Sequence, residues 1–299
     1  MTVSCGKTHL LKEVIKFDNY PSASGTEFYN HHFYVVGDDA RSLLILDSNL
    51  HNIDSVILYP GTGKRIEKDT KSDIESMTTV RDKGQTWLLL TGSGSLAPYR
   101  NKAWLVNPAS REKKEIALDS FFQRLPLNGI SEINIEGSCN IPGAIVFSNR
   151  GNKTNRKNQL IFTHPHFWDQ QGSSPITTLI VGANPDTSIF NGVSGMTYAP
   201  KSDRLLLTVS TEDTRNAYDD GAIGASYLWI VKNISTKRRW KSINPDQVID
   251  LNAIDARFKG QKIESVTVIK ETRHFLHLVL AGENDDGTST VFKFLVEKK

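Results

Sequence analysis

The chain has 299 residues, of which 38% are hydrophobic and 23% are charged, so it can bury a sizeable core and is not disordered as a whole. Its formal net charge is only +3 and it has no long run of like charges, which argues against a nucleic-acid surface. No stretch approaches the roughly 18 consecutive apolar residues of a membrane span, and the N-terminus lacks the apolar segment of a signal peptide. We therefore expect a soluble protein, periplasmic or secreted only if a signal peptide has been removed.

Short segments rich in β-branched and aromatic residues recur along the chain, bounded by Gly, Asp, Asn and Pro. In chain order they are FYVV, SLLILD, SVILY, TWLLL, AWLV, AIVF, QLIF, RLLLTV, SYLWIV, HLVLA and VFKFLV. Two windows, Ser120–Leu125 and Ala253–Phe258, could be helical, but neither sustains an apolar helical period over three turns. The pattern predicts an all-β protein. Because no linker or change of composition divides the chain, we expect residues 1–299 to form a single domain. The repeat described next predicts that this domain is a β-propeller.

A short motif occurs five times: a small or apolar residue, then Ser or Glu, then Gly or Ser, followed by a strand, a turn and a stronger strand. We call the central residues of these motifs the anchors; they are Ser24, Glu75, Glu136, Ser194 and Glu264. Successive anchors are 51 to 70 residues apart, so five units account for the chain. Four-stranded units repeated around an axis are propeller blades, so the repeat predicts a five-bladed β-propeller.

The N-terminal segment Leu10–Phe17 precedes the first anchor and has no blade of its own. We predict that it forms the outer strand of the blade that begins at Glu264. This arrangement would close the ring by joining the two ends of the chain, and it would cover an edge that an open sheet exposes.

The anchors carry the strongest functional signal. The first strand of a blade lies nearest the propeller axis, so the five anchors should surround one end of the central channel, which we call the anchor face. Three carboxylates in a narrow channel repel one another, so either their pKa values rise or a cation neutralises them. Oxygen donors of this kind suit Ca²⁺, and we predict one axial calcium ion at the five anchors. The alternative is that these side chains begin strands and face a water-filled channel.

The loop after the second strand of each blade should return to the anchor face. These loops supply the candidate catalytic residues Asp38, Asp39, Arg41, Arg150 and Arg215. Three arginines could hold a phosphate chain, while an aspartate beside the metal could position or deprotonate an attacking water. The conformational needs of turns would also place Asp, Asn and Gly in such loops.

The order of the anchors, the loop Gly37-Asp38-Asp39-Ala40-Arg41 and the stretch VSGMTYAPKSDRLLLTVSTEDT followed by ASYLWIV resemble the calcium-activated nucleotidases, the apyrases of the five-bladed propeller type. The resemblance implies hydrolysis of nucleoside di- and triphosphates and a Ca²⁺ held on the axis by Ser and Glu, one ligand per blade. The chain departs from that family at Asp18-Asn19-Tyr20-Pro21, where the family has a basic, Glu-containing approach to its Ser. The blades are also similar to uncharacterised bacterial propellers and to esterase-like phytase domains.

Two further motifs are weaker. Gly61-Thr62-Gly63-Lys64 resembles the end of a phosphate-binding loop, but an all-β chain offers no helix to follow it. His164 and His166 could ligate a metal, although no third ligand is adjacent in the sequence and a packed surface turn fits as well.

The sequence leaves two functions open. The first is a calcium-dependent phosphohydrolase that acts on nucleotides or other phosphate esters at the anchor face. The second is a non-catalytic propeller whose axial ion is structural and whose face binds a protein, peptide or glycan. In both cases we expect a monomer that binds neither nucleic acid nor membrane.

Overall fold

The computed structural model describes residues 9–182, 190–212, 223–283 and 287–298. In these ranges five small, mainly antiparallel sheets stand around a common axis as the blades of a β-propeller. The predicted all-β, five-bladed fold is therefore confirmed.

The strands follow the repeat in chain order. The first is β1 (His9–Phe17), and blade 1 contains β2 (Ala23–Tyr29), β3 (His32–Gly37), β4 (Ser42–Leu46) and β5 (Asn52–Ile57). Blade 2 contains β6 (Ile74–Asp82), β7 (Gln85–Gly92), β8 (Lys102–Val106) and β9 (Lys113–Ala117). Blade 3 contains β10 (Ile135–Ile141), β11 (Ala144–Asn149), β12 (Gln159–Thr163) and β13 (Thr177–Val181).

The last two blades complete the circle. Blade 4 contains β14 (Asn191–Ala199), β15 (Arg204–Glu212) and β16 (Ile223–Lys232); the two-residue β17 (Ser242–Ile243) comes next in sequence, and β18 (Gln247–Asp250) is the outer strand. Blade 5 contains β19 (Lys262–Glu271), β20 (Phe275–Glu283) and β21 (Ser289–Glu297). β17 pairs in parallel with β13 and so extends blade 3, an addition that the repeat did not predict.

Helices in the described ranges are short connections between strands. They are α1 (Asp119–Phe122), α2 (Leu251–Ile254) and the 3-10 turns Pro126–Asn128, Phe167–Asp169, Ile234–Thr236 and Ala256–Phe258. Some of them lie in or beside the two windows that the sequence marked as helical. None of the helices in these ranges is long and apolar enough to cross a membrane.

The innermost strand of each blade is the first strand of its repeat. β2, β6, β10, β14 and β19 contact one another in that order, and β19 contacts β2, so these strands form a closed inner ring. β1 pairs antiparallel with β21, from His9 opposite Val296 to Phe17 opposite Ser289. The N-terminal strand thus completes the last blade, as predicted.

The hydrophobic core is divided into clusters that lie between adjacent blades. Trp87 of blade 2 shares a cluster with Phe147 of blade 3, and Leu228 of blade 4 shares one with Phe294 of blade 5. Blade 1 packs in the same way against blade 2 and against blade 5. Since each blade buries its faces against its neighbours, the apolar stabilisation depends on a complete ring.

The contribution of β1 to closing the ring can be tested by truncating one of its side chains. Leu11 is buried in the cluster between blades 4 and 5, whereas the adjacent Lys12 is exposed. Leu11→Ala should lower the free energy of unfolding by about 2–5 kcal/mol in urea denaturation, because it leaves a cavity. Lys12→Ala should change that free energy by no more than about 0.5 kcal/mol. If both substitutions change the free energy of unfolding by equally small amounts, β1 does not contribute to closing the ring.

Candidate functional site

The five anchors occupy the same structural position in the five blades. In every blade the register between the first and second strands shifts at the anchor: the residues before and after it pair with consecutive residues of the neighbouring strand, and the anchor is skipped. Such a shift is a β-bulge, which leaves one residue outside the ladder and re-aims its side chain. The sequence repeat therefore corresponds to a repeated feature of the backbone.

The two serine anchors link neighbouring blades. The Ser24 hydroxyl donates to the carbonyl oxygen of Ile74 at 2.5 Å, and the Ser194 hydroxyl donates to that of Ile263 at 2.6 Å. Ile74 and Ile263 each directly precede a glutamate anchor, so each bond fixes a serine beside the glutamate of the next blade. A hydroxyl that donates one hydrogen bond keeps lone pairs with which it can contact a cation.

Two of the glutamate anchors are buried next to basic side chains. Glu136 accepts a hydrogen bond of 2.6 Å from the Asn134 amide and lies 3.7 Å from the Arg150 guanidinium. Glu264 lies 2.9 Å from the Lys262 ammonium group, which is also 3.9 Å from Glu283. In both cases a residue two positions earlier in the chain contacts the anchor.

The third glutamate, Glu75, belongs to a cluster of acids. The carboxylates of Asp38, Asp73 and Glu75 have oxygen atoms within 4.8 Å of one another. Lys71 forms ion pairs with Asp38 and, at 2.8 Å, with Asp73. Asp73 also binds the buried Arg100 at 2.7 Å, so this carboxylate is held by two cations.

Burial and like charge shift the pKa values of this cluster in opposite directions. Burial raises the pKa of Glu75 well above its ordinary value, and the neighbouring Asp73, Glu136 and Asp38 raise it further. Burial also raises the pKa of Asp38 to about 7, against the opposing effect of Lys71. Asp73 differs: burial opposes its charge, but Lys71 and Arg100 outweigh burial and lower its pKa. Within this cluster, Glu75 is therefore the carboxyl whose negative charge is least compensated by nearby basic groups.

Carboxylates outnumber basic groups at the anchor face. In the described part of the chain, the carboxylates joined through these contacts are Asp38, Asp73, Glu75, Glu136, Glu264 and Glu283. The basic side chains among them are Lys71, Arg100, Arg150 and Lys262. If all of these described groups are ionised, their negative charges exceed their positive charges by two, which favours protonation of a carboxylate or the binding of a cation nearby.

The loop residues proposed from the sequence have different surroundings. Asp39 is buried and accepts a hydrogen bond from Arg65. The Arg41 guanidinium donates to the carbonyl oxygens of Pro60, Gly63 and Arg65 at 3.0, 3.2 and 3.5 Å. Arg41 thereby supports the Gly61-Thr62-Gly63-Lys64 loop, which gives that motif a structural explanation.

Arg150 is inserted between blades 3 and 4. Its guanidinium donates to the Ser210 hydroxyl at 3.2 Å while it faces Glu136. Gly192 leaves the space for it, since a Cβ at that position would be 2.3 Å from the Arg150 Nε atom. Arg215, the third proposed arginine, lies outside the described residues.

Sequence reasoning missed Lys71, Asp73, Arg100 and Lys262. Asp73 and Lys262 stand two residues before a glutamate anchor, as Asn134 does, so aligning the repeats two residues further upstream would have found them. Lys71 and Arg100 lie outside the repeated motif and gave no comparable signal.

The raised pKa of Glu75 predicts a pH dependence of stability. The pKa of Glu75 is higher in the folded protein than its ordinary value of 4.5. Its contribution to stability is therefore complete below about pH 4.5 and is lost as the pH rises towards the folded-state value. In the presence of chelator, Glu75→Gln should lose less free energy of unfolding than the wild type as the pH rises above about 4.5. Identical pH slopes for the two proteins would contradict this assignment.

Comparison with known proteins gives the family and the fold. No curated protein matches the chain. Among solved structures, it is similar to the glutaminyl cyclase of Myxococcus xanthus, with 13% identity, a TM-score of 0.50 and 97% of each chain covered. It is also similar to a Bacteroides fragilis protein provisionally described as exported, with 8% identity, a TM-score of 0.44, and 100% of this chain and 98% of that chain covered. At these identities the likeness concerns the fold alone.

The strongest assignment concerns the family. Residues 19–296, which include all five anchors and the strands β2 to β20, match one family over nearly the whole chain. The chain belongs to the family described as a family of unknown function, DUF6929.

Proposed function

We propose that the five anchors hold one Ca²⁺ on the propeller axis and that the anchor face is a calcium-dependent phosphohydrolase site for nucleotides or other phosphate esters. The observation that carries the proposal is the repeated β-bulge, which gives the axis three carboxylates and two hydroxyls from five equivalent positions. An all-oxygen set of this kind matches the ligand preference of a hard divalent cation.

The surroundings of the anchors support a cation there. Among the described groups of the anchor face, carboxylates outnumber basic side chains, an excess that a divalent cation would offset. Burial and the neighbouring acids raise the pKa of Glu75, and a cation beside it would favour its charged form. Extracellular calcium sites bind in the range of about 10⁻⁴–10⁻³ M, so a periplasmic or secreted location would suit a moderate affinity.

The candidate groups for hydrolysis lie beside the anchors. When bound, calcium would polarise and neutralise phosphoryl oxygens. Asp38 is close to Glu75 and titrates near neutral pH, as a general base that deprotonates water should. Arg150 faces Glu136, so it lies close enough to an anchor to contact a phosphate held there. Arg41 would first have to leave the loop carbonyls to which it now donates.

A second candidate is a non-catalytic binding propeller with a structural axial ion. Lys71 and Lys262 already form ion pairs with acids of the anchor face, so fewer of its charged side chains are available to bind a substrate. A pocket of about 450 Å³ lies on the opposite face, between blades 1 and 2, and its lining includes Tyr29, Tyr34 and His32. Aromatic and polar groups of this kind fit a glycan or peptide ligand.

Calcium binding is tested by titration of the wild type and two glutamate variants. An ion that binds only the folded protein stabilises it by about 2.7 kcal/mol at a hundred times Kd, so calcium should raise the Tm of the wild type. Glu136→Gln should lose most of this rise, because it removes a buried anchor carboxylate. Glu112→Gln, at an exposed position on the far side of blade 2, should retain it. An unchanged calcium response in Glu136→Gln would place the ion elsewhere.

Hydrolysis is tested by phosphate release from substrates ranging from ATP to phytate, with calcium and with chelator. The wild type should release phosphate only with calcium, and Asp38→Asn should lower kcat by about 100-fold or more, the contribution of a general base. Background release at saturating calcium over the whole panel would refute the hydrolase and leave the binding propeller.

A further inference from the structure

A second group of possible metal ligands lies on the face opposite the anchors. Asp82, His166 and Asp169 each offer a ligand atom, and these atoms lie within 4.8 Å of one another. We call these three residues the Asp82 cluster. Asp82 ends β6 of blade 2, at the far end of the strand that starts beside Glu75, so the cluster is separated from the anchors by the length of the strand.

The cluster is assembled from two blades. His166 and Asp169 come from the turn after β12 of blade 3, where Phe167 and Trp168 are buried in the core between blades 2 and 3. These two aromatic side chains fix the turn against the blade that supplies Asp82. The His166 ring is further supported by Trp168, with ring centroids 5.3 Å apart. Sequence reasoning paired His166 with His164 and did not consider Asp82, which is distant along the chain.

Few protein groups would compete with a metal ion for the ligand atoms of the cluster. Within the described residues, the contact among them is between His166 Nδ1 and Asp82 Oδ1 at 3.9 Å, which is too long for a hydrogen bond. The acids near Glu75 differ, because Lys71 and Arg100 already bind them. His164 serves the turn instead: its Nδ1 accepts a hydrogen bond of 3.2 Å from the His166 backbone N–H.

We propose that the Asp82 cluster binds one Zn²⁺ ion and thereby connects blade 2 to blade 3. One imidazole nitrogen and two carboxylate oxygens are donors that zinc accepts at roughly 2.0–2.2 Å, so a contraction of the cluster would be enough to close the site. Imidazole favours zinc over calcium, which prefers oxygen donors alone. Three protein ligands leave one coordination position for water or for a ligand group. This site is independent of the function proposed for the anchor face.

The experiment is isothermal titration of the full chain with ZnCl₂, performed in the Glu75→Gln background so that the anchors do not compete. We expect one zinc ion per chain. Removing a direct ligand should cost at least the factor of about 10–100 that loss of an outer-shell partner costs, so Asp82→Asn and His166→Asn should each weaken binding by about 100-fold or more. His51→Asn, at an exposed histidine in blade 1, is the matched control and should bind zinc normally.

The same variants are melted in chelator and in zinc, which separates loss of the site from loss of folding. Asp82→Asn and His166→Asn should match the background protein in chelator and should lack its zinc-dependent rise in Tm. The proposal is overturned if the background protein binds no zinc. It is also overturned if both variants keep the zinc affinity and the Tm rise of the background protein.

Discussion

The burial of several carboxylates around one axis is the electrostatic constraint on which the anchor face depends. Charged groups in a poorly solvated site must be paired, protonated or bound to a cation. In this chain Lys71, Arg100, Arg150 and Lys262 form ion pairs with some of these acids. Burial, and then the neighbouring acids, raise the pKa of Glu75. Among the described groups of the anchor face, the carboxylates exceed the basic side chains by two.

The fold creates this constraint through its inner ring. Each blade places a bulge near the start of its innermost strand, and closure of the ring by β1 and β21 brings the five bulges to one end of the axis. The serine bonds from Ser24 to Ile74 and from Ser194 to Ile263 tie consecutive blades at that level. Packing between blades thus stabilises a ring of acids that no single blade could hold together.

The sequence predicted the repeated elements well and the neighbours of the site poorly. The anchors follow a pattern that repeats, and Leu10–Phe17 is the strand-like segment left over by that pattern, so the five blades and their closure could be derived. The bulge could not, because a one-residue shift of register leaves no mark on strand propensity. Arg41 and Asp39 were proposed as catalytic residues because of their residue types. Their hydrogen-bond partners, the loop carbonyls and Arg65, depend on the course of one loop. Asp82 and His166 meet only because two blades are adjacent.

The most direct test is a crystal structure grown in calcium, with the anomalous signal measured at a wavelength where calcium scatters. The account predicts one anomalous peak on the axis at the anchor face, with carboxylate oxygens of Glu75, Glu136 and Glu264 at roughly 2.3–2.6 Å. A structure at saturating calcium with no peak among the anchors, or with calcium bound only at another site, would contradict it.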